Sequence, residues 1–146
     1  MLCRMSEPDP LVDATKRALE TFRVALGDDL WAPDVALIAH ARALVMVGRM
    51  DLGIAALAGG SATCVGAAMH ILAAHERLDD AIDVGLTAAA RLPEDAPAIR
   101  QSVASMLWYQ GHHDRARAEI QKNIDDQPDV AAWRDLMAKL VDEGAS

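Results

Sequence analysis

Residues 79–93 read DDAIDVGLTAAARLP and residues 114–128 read DRARAEIQKNIDDQP. Asp79, Ala81 and Pro93 of the first stretch return as Asp114, Ala116 and Pro128 of the second, displaced by 35 residues with the internal spacing unchanged. A period of roughly 30 to 40 residues made of two helical segments marks a helix-hairpin array, whose units bury their apolar faces on their neighbours. Other columns join the first two. Gly48, Glu76 and Gly111 fall where the turn between paired helices is expected, followed by Met50, Leu78 and His113 and then by the acids Asp51, Asp79 and Asp114. Two residues further on stand Gly53, Ala81 and Ala116, small enough for two helices to touch.

Helix ends are marked by the usual residues. Pro93 and Pro128 terminate the second helix of their hairpins, and Asp95 and Asp129 are the expected N-caps of the helices that follow. The first interval is shorter, 28 residues from Asp51 to Asp79, because Gly59-Gly60 cuts one helix short before Ser61 caps the next. With Gly53 inside it as well, that helix is expected to be the weakest element and the first to open. Ahead of the hairpins, Asp9-Pro10 starts a helix with Leu11, Ala14, Ala18, Phe22 and Ala25 at helical spacing, ended by Gly27. Residues 28–32 form a loop, and Pro33 opens a helix running to Gly48.

Composition agrees with an all-α chain. Hydrophobic residues make up 52% but aromatic residues only 3%, so Ala, Leu, Val, Ile and Met must fill the core. No Asn-Gly or Asp-Gly pair joins alternating β-branched runs, as a hairpin of strands would require. The expected organisation is a disordered tail over residues 1–8 and a single helical domain over 9–146.

The net charge of −8, with 14 Lys and Arg scattered among 22 acids, argues against nucleic acid, whose phosphates require a concentrated basic face. Cys3 and Cys64 match neither a disulfide framework nor a paired metal motif, so both are read as free thiols in a reducing compartment. The first ten residues carry Arg4, Glu7 and Asp9 and no apolar run, and the longest apolar stretches are short. No signal peptide, no membrane span and a cytoplasmic location are therefore expected.

The columns resemble the tetratricopeptide repeat, whose pattern runs Trp-x2-Leu-Gly-x2-Tyr, then Gly, Ala, a large apolar residue and Pro. The third hairpin carries it from Gly111 through Ala116 and Ile120 to Pro128, and the final helix supplies Trp133, Leu136, Leu140 and Gly144. Leu37, Ala41, Leu44 and Gly48 match in the first hairpin. The middle one, with Val65, Ala68, Met69 and Leu72, is degenerate in its first helix but matches at Ala81, Ala88 and Pro93. The resemblance covers residues 33–144 and implies an α-α superhelix of about seven helices: three hairpins and a closing helix.

Two stripes mark each first helix. In the third hairpin Val103, Ala104 and Leu107 suit packing, while Gln101, Ser105 and Trp108 lie on another face. The resemblance implies that the second stripe lines a concave groove in which a partner segment lies. The corresponding positions are Ile38, Arg42 and Val45 in the first hairpin and Gly66, His70 and Ala73 in the second; Arg134, Ala138 and Val141 are those of the closing helix. Trp108 and Tyr109 are the aromatic anchors of such a groove, with Arg42, His70 and Ser105 as a polar row. Trp31 and Trp133 are read as structural. Members of the family that clamp acidic C-termini use Lys and Asn on this face. Ile38, Arg42, Gly66, His70, Gln101 and Ser105 depart from that set, so the dicarboxylate clamp is not expected.

Metal and catalytic chemistry find little footing. His70 and His75 are five residues apart on different helix faces, His112 and His113 sit in a turn, and His40 falls on a packing stripe as a satisfied core histidine. There is no phosphate loop and no nucleophile elbow, and Asp79-Asp80 and Asp125-Asp126 occupy a helix start and a helix end, where capping and solvation explain them. Neither a metal, a cofactor nor an enzymatic activity is expected.

The sequence therefore points to a non-enzymatic protein-interaction module, an adaptor or a chaperone, which binds a partner protein or peptide segment through Ile38, Arg42, Val45, Gly66, His70, Gln101, Ser105, Trp108 and Tyr109. Size, acidity and repeat number resemble bacterial secretion or assembly chaperones. Two other readings stay open. One is a structural subunit or homodimer joined through residues 10–26, with Leu19 and Phe22 at the contact; the other is a small-molecule sensor holding an anion at His70 and Arg42.

Overall fold

The computed structural model describes residues 10–26 and 33–145, and every element among them is helical. There are eight: α1 (Pro10–Leu26), α2 (Pro33–Met46), α3 (Met50–Ala58), α4 (Ala62–Ala74), α5 (Leu78–Arg91), α6 (Ala96–Tyr109), α7 (His113–Asp126) and α8 (Ala131–Ala145). The expected count of about seven is one short, since the helix before the hairpins adds to three pairs and a closing helix. Readings placed on residues 1–8, on Trp31 and on the side chains of Leu11, Leu19, Phe22 and Ala25 fall outside the described residues. No described helix is long and apolar enough to cross a membrane. Contacts divide the chain into two compact units, one ending at Ala67 and one beginning at Ala68, within α4.

The turn column is the clearest link from sequence to backbone. Gly48 (φ +82°), Glu76 (φ 61°) and Gly111 (φ +87°) all adopt the left-handed conformation. The N–H of the residue after each returns to a leucine carbonyl five positions back: Arg49 to Leu44 at 2.8 Å, Arg77 to Leu72 at 2.9 Å and His112 to Leu107 at 2.9 Å. This is the Schellman ending, which satisfies carbonyls that the last helical turn leaves without intrahelical donors. Each of the three leucines is 1% exposed, so one residue type serves the turn through its carbonyl and the core through its side chain. The next helix starts two residues after the left-handed one in all three hairpins: Met50, Leu78 and His113.

In the unit ending at Ala67, α2 buries His40, Ala41 and Leu44, and α3 buries Gly53 and Leu57. A Cβ on Gly53 would stand 2.7 Å from the Ala41 carbonyl oxygen, so the glycine marks a close crossing of α2 and α3 rather than a flaw in α3. At nine residues against fourteen in α5 and α7, α3 supplies most of the seven-residue shortfall in the first interval. Ser61 caps α4 as its position suggests: its Oγ accepts the Cys64 N–H at 3.4 Å and donates to Asp34 Oδ2 at 2.8 Å. The buried, free Cys64 thiol donates to Asp34 Oδ1 at 3.6 Å, so one carboxylate ties the first turn of α2 to that of α4.

α1 departs from its sequence pattern. Ala14 and Ala18 of the expected apolar stripe are exposed, and Asp13 is half-buried. His40, expected to be a satisfied core histidine, is buried but its Nδ1 has no partner. Burial lowers its pKa below 6.5, and the nearby Lys16 ammonium lowers it further.

In the unit beginning at Ala68, α6 and α7 form the best-tied pair. Asn123, fully buried in α7, donates from Nδ2 to the Pro97 carbonyl at 2.8 Å and accepts from Arg100 Nη1 at 3.3 Å. The same guanidinium pairs with Asp126. The predicted packing stripe holds: Val103, Ala104 and Leu107 are 0%, 4% and 1% exposed. The helix starts need correction. Asp95 precedes α6, but its side chain makes no capping bond. Asp129 caps nothing, because α8 begins at Ala131 and the turn is fixed instead by Gln127, whose carbonyl accepts the Val130 N–H at 3.1 Å. Gln127 Oε1 also accepts the Trp133 indole N–H at 2.7 Å, which gives this half-buried tryptophan its structural role.

Candidate partner-binding cleft

α7 runs antiparallel to both of its neighbours: its last turn meets the start of α6 through Asn123 and Asp126, and its first turn meets the end of α8 through Arg117. α6 and α8 therefore point the same way on either side of α7. Between them lies a cleft of about 220 Å³ lined by Gln101, Ala104, Ser105, Trp108, Ile120, Leu136 and Leu140. Ala104 and Ile120 are buried and form its floor; Trp108, Leu136 and Leu140 are half-buried walls, with exposed Gln101 and Ser105 on the rim. An apolar cavity of about 150 Å³ holds a benzene ring, so this one has room for a large apolar side chain.

Trp108 is held from behind. Its ring stacks on His113 with centroids 3.9 Å apart and planes 18° from parallel. The Arg117 guanidinium lies 5.9 Å from the indole centroid, within range of a cation–π contact. Arg117 also pairs with Asp114 and donates to the Leu140 carbonyl at 3.5 Å. One guanidinium thus links the tryptophan on one wall to the helix that forms the other.

Charge is distributed unevenly around the cleft. The exposed positions of α6 are Ala98, Gln101, Ser102, Ser105 and Tyr109, all neutral, and its single charged residue, Arg100, is bound to Asn123 and Asp126. The neighbouring α5 and α7 expose charges of both signs, Asp79, Asp80, Asp83, Asp114, Asp125 and Asp126 together with Arg91, Arg115 and Lys122. Depletion of charge beside an aromatic anchor is the composition that separates the centre of a protein interface from ordinary surface.

Of the nine residues assigned to partner binding from the sequence, Gln101, Ser105 and Trp108 come together in this cleft. Tyr109, 83% exposed, ends α6 beside Trp108 without lining it. His70 is exposed on the second half of α4. In the first unit Arg42 and Gly66 are exposed, while Ile38 and Val45 are half-buried. On α8 the cleft takes Leu136 and Leu140, whereas Arg134, Ala138 and Val141 are exposed elsewhere on the helix. Sequence reasoning assigned no role here to Ala104, Ile120, His113 or Arg117. The first two read only as core positions, and the spacing of Trp108 and His113 across a turn gives no sign that their rings stack.

Among the described residues, no three His, Cys, Asp or Glu side chains converge to hold a metal ion. His75 Nδ1 lies 2.8 Å from the Ile71 carbonyl. Comparison with family models, with curated proteins and with solved structures finds no match to this chain.

Proposed function

We propose that this chain is a non-enzymatic protein-interaction module with degenerate hairpins of tetratricopeptide type, and that a partner segment seats an apolar side chain in the cleft between α6 and α8. The observation that carries this reading is the coincidence of a rigidly backed Trp108, an apolar floor and an uncharged helix face in an otherwise acidic protein. The shared turn geometry at Gly48, Glu76 and Gly111 supports the repeat assignment. Burying one large apolar side chain contributes about 1.5–3 kcal/mol, so the flanking contacts of the segment supply the rest of an affinity on the order of micromolar, suited to an adaptor or holding chaperone.

The test compares wild type with Ser105→Arg, an exposed rim position where a long cation obstructs the cleft without touching the core. Partners recovered from the native host by the wild-type protein should be lost by the variant at unchanged helical circular dichroism. Equal recovery by both proteins removes the cleft from the function.

A further inference from the structure

α2 carries its one cation among apolar side chains. Between Asp34 and Arg49 the only residue of the Asp, Glu, Lys and Arg set is Arg42. On a helix surface the neighbours of a residue stand three and four positions away, and here all four are apolar: Ile38, Ala39, Val45 and Met46. Other cations of this chain find an acid three residues off, as Arg77 does in Asp80, Arg117 in Asp114 and Lys122 in Glu119. The Arg42 guanidinium is exposed and makes no ion pair or hydrogen bond among the described residues. The acids nearest to it in sequence are engaged elsewhere: Asp34 with Ser61 and Cys64, and Asp51 with Arg49 at 4.0 Å. The surrounding face is open as well. Val35, 53% exposed, stands seven residues before Arg42, and Met46, 86% exposed, stands four after it, on the same side of α2. His40, Ala41 and Leu44, turned away from that side, are the residues α2 buries.

We propose that this face of α2 is a second docking surface, for a partner segment in which a single Asp or Glu is flanked on both sides by large apolar residues. The carboxylate pairs with Arg42, and the apolar flanks lie on Ile38 and on Val45 and Met46, each about one helical turn (5.4 Å) along the axis. Once docked, the apolar ring excludes water from the ion pair, the setting in which an arginine contributes most to an interface. One guanidinium balances one negative charge. A phosphate, with a charge near −2, or a run of acids leaves charge uncompensated among apolar side chains. The surface belongs to the unit ending at Ala67 and does not depend on the cleft.

The test selects a phage-displayed library of random twelve-residue peptides on the full chain. Clones are then measured as free peptides with amidated C-termini, so that side chains supply the only carboxylates. They are titrated against wild type, Arg42→Gln, Arg42→Glu and, as the control for the cleft, Ser105→Arg. The expected clones carry one acid between two large apolar residues and bind Ser105→Arg as they bind wild type. Arg42→Gln should weaken them about three- to tenfold and Arg42→Glu at least tenfold, and exchanging the acid of the peptide for lysine should restore binding to Arg42→Glu. With a net charge of −8 the protein repels acidic peptides as a whole, so the general field works against their enrichment. If no clone responds to Arg42→Glu, the inference is overturned, and clones lost in Ser105→Arg alone would leave the cleft standing. Clones that respond to Arg42→Glu but lack an acid and bind Arg42→Gln unchanged would overturn the carboxylate. Phosphatidylserine vesicles that bind through Arg42 where no peptide does would overturn it in favour of a membrane surface. Arg42 is exposed, so its variants should keep the wild-type circular dichroism.

Discussion

Glu76 is the one non-glycine residue with positive φ among those described, and its two column partners are glycines. A left-handed L-residue costs about 1–2 kcal/mol that glycine does not incur. Glycine in turn loses more backbone freedom on folding, roughly 0.5–1 kcal/mol. Glu76→Gly should therefore stabilise the protein by about 0.5–1 kcal/mol, because the Glu76 side chain is exposed and its turn bonds run through the backbone. For a chain of this length, each kcal/mol moves the midpoint by roughly 2–4 °C, so Tm should rise by about 1–4 °C. Gly111→Ala is the mirror experiment at the same column position and should lose a comparable amount. Urea unfolding followed by circular dichroism reads both, with an unchanged slope showing that stability has changed and the surface exposed on unfolding has not. If Glu76→Gly lowers the midpoint, or Gly111→Ala leaves it unchanged, the turn is not left-handed and the equivalence of the three hairpins fails.

Two further stability predictions follow from close packing and from burial. Gly53→Ala should destabilise by about 1–2 kcal/mol in the same urea assay, since overpacking against the Ala41 carbonyl outweighs the roughly 1 kcal/mol gain in helix propensity; a gain in stability would mean that α2 and α3 do not touch there. His40 makes stability depend on pH: its folded pKa lies below the ordinary 6.5, so the unfolded chain takes up the proton first. The stability held above pH 6.5 should accordingly decline as pH falls through the folded value, and His40→Leu should flatten that part of the profile in thermal melts taken between about pH 5 and 8. An unchanged profile in the variant would show that the imidazole is solvated.

What the sequence discloses here is what local backbone chemistry dictates. The turn positions repeat in sequence and in conformation because glycine, or a residue forced to imitate it, must stand where a helix reverses. Leu44, Leu72 and Leu107 repeat because that reversal needs an apolar residue at a fixed distance. Ser61 is legible as a cap since its bond reaches only three residues. Asp129 is not, because the competing anchor Gln127 acts through Trp133, a contact that depends on how α8 sits. The rotation of α8 was likewise hidden: Leu136 and Leu140 face the cleft, and no pattern within a terminal helix says which of its sides meets α7. His40 is buried in keeping with its stripe, but whether Nδ1 finds an acceptor depends on α1, whose Ala14 and Ala18 lie exposed rather than packed.

The features that sequence could not reach are also those that suit the cleft to the docking role proposed for it. An exposed tryptophan on a free helix would lose rotamer freedom on binding, at about 0.5–1.5 kcal/mol for each side chain immobilised. Trp108 has already lost that freedom, stacked on His113 and faced by Arg117, two residues of the next helix. Arg117 then extends the constraint across the cleft by bonding the Leu140 carbonyl, so the spacing of the two walls is set by a side chain that no ligand need contact. Such an arrangement separates two functions that a single groove residue would otherwise combine. In the proposed docking role, the face of α6 can stay small and neutral, open to different partner sequences, while the depth of the pocket is held constant from behind.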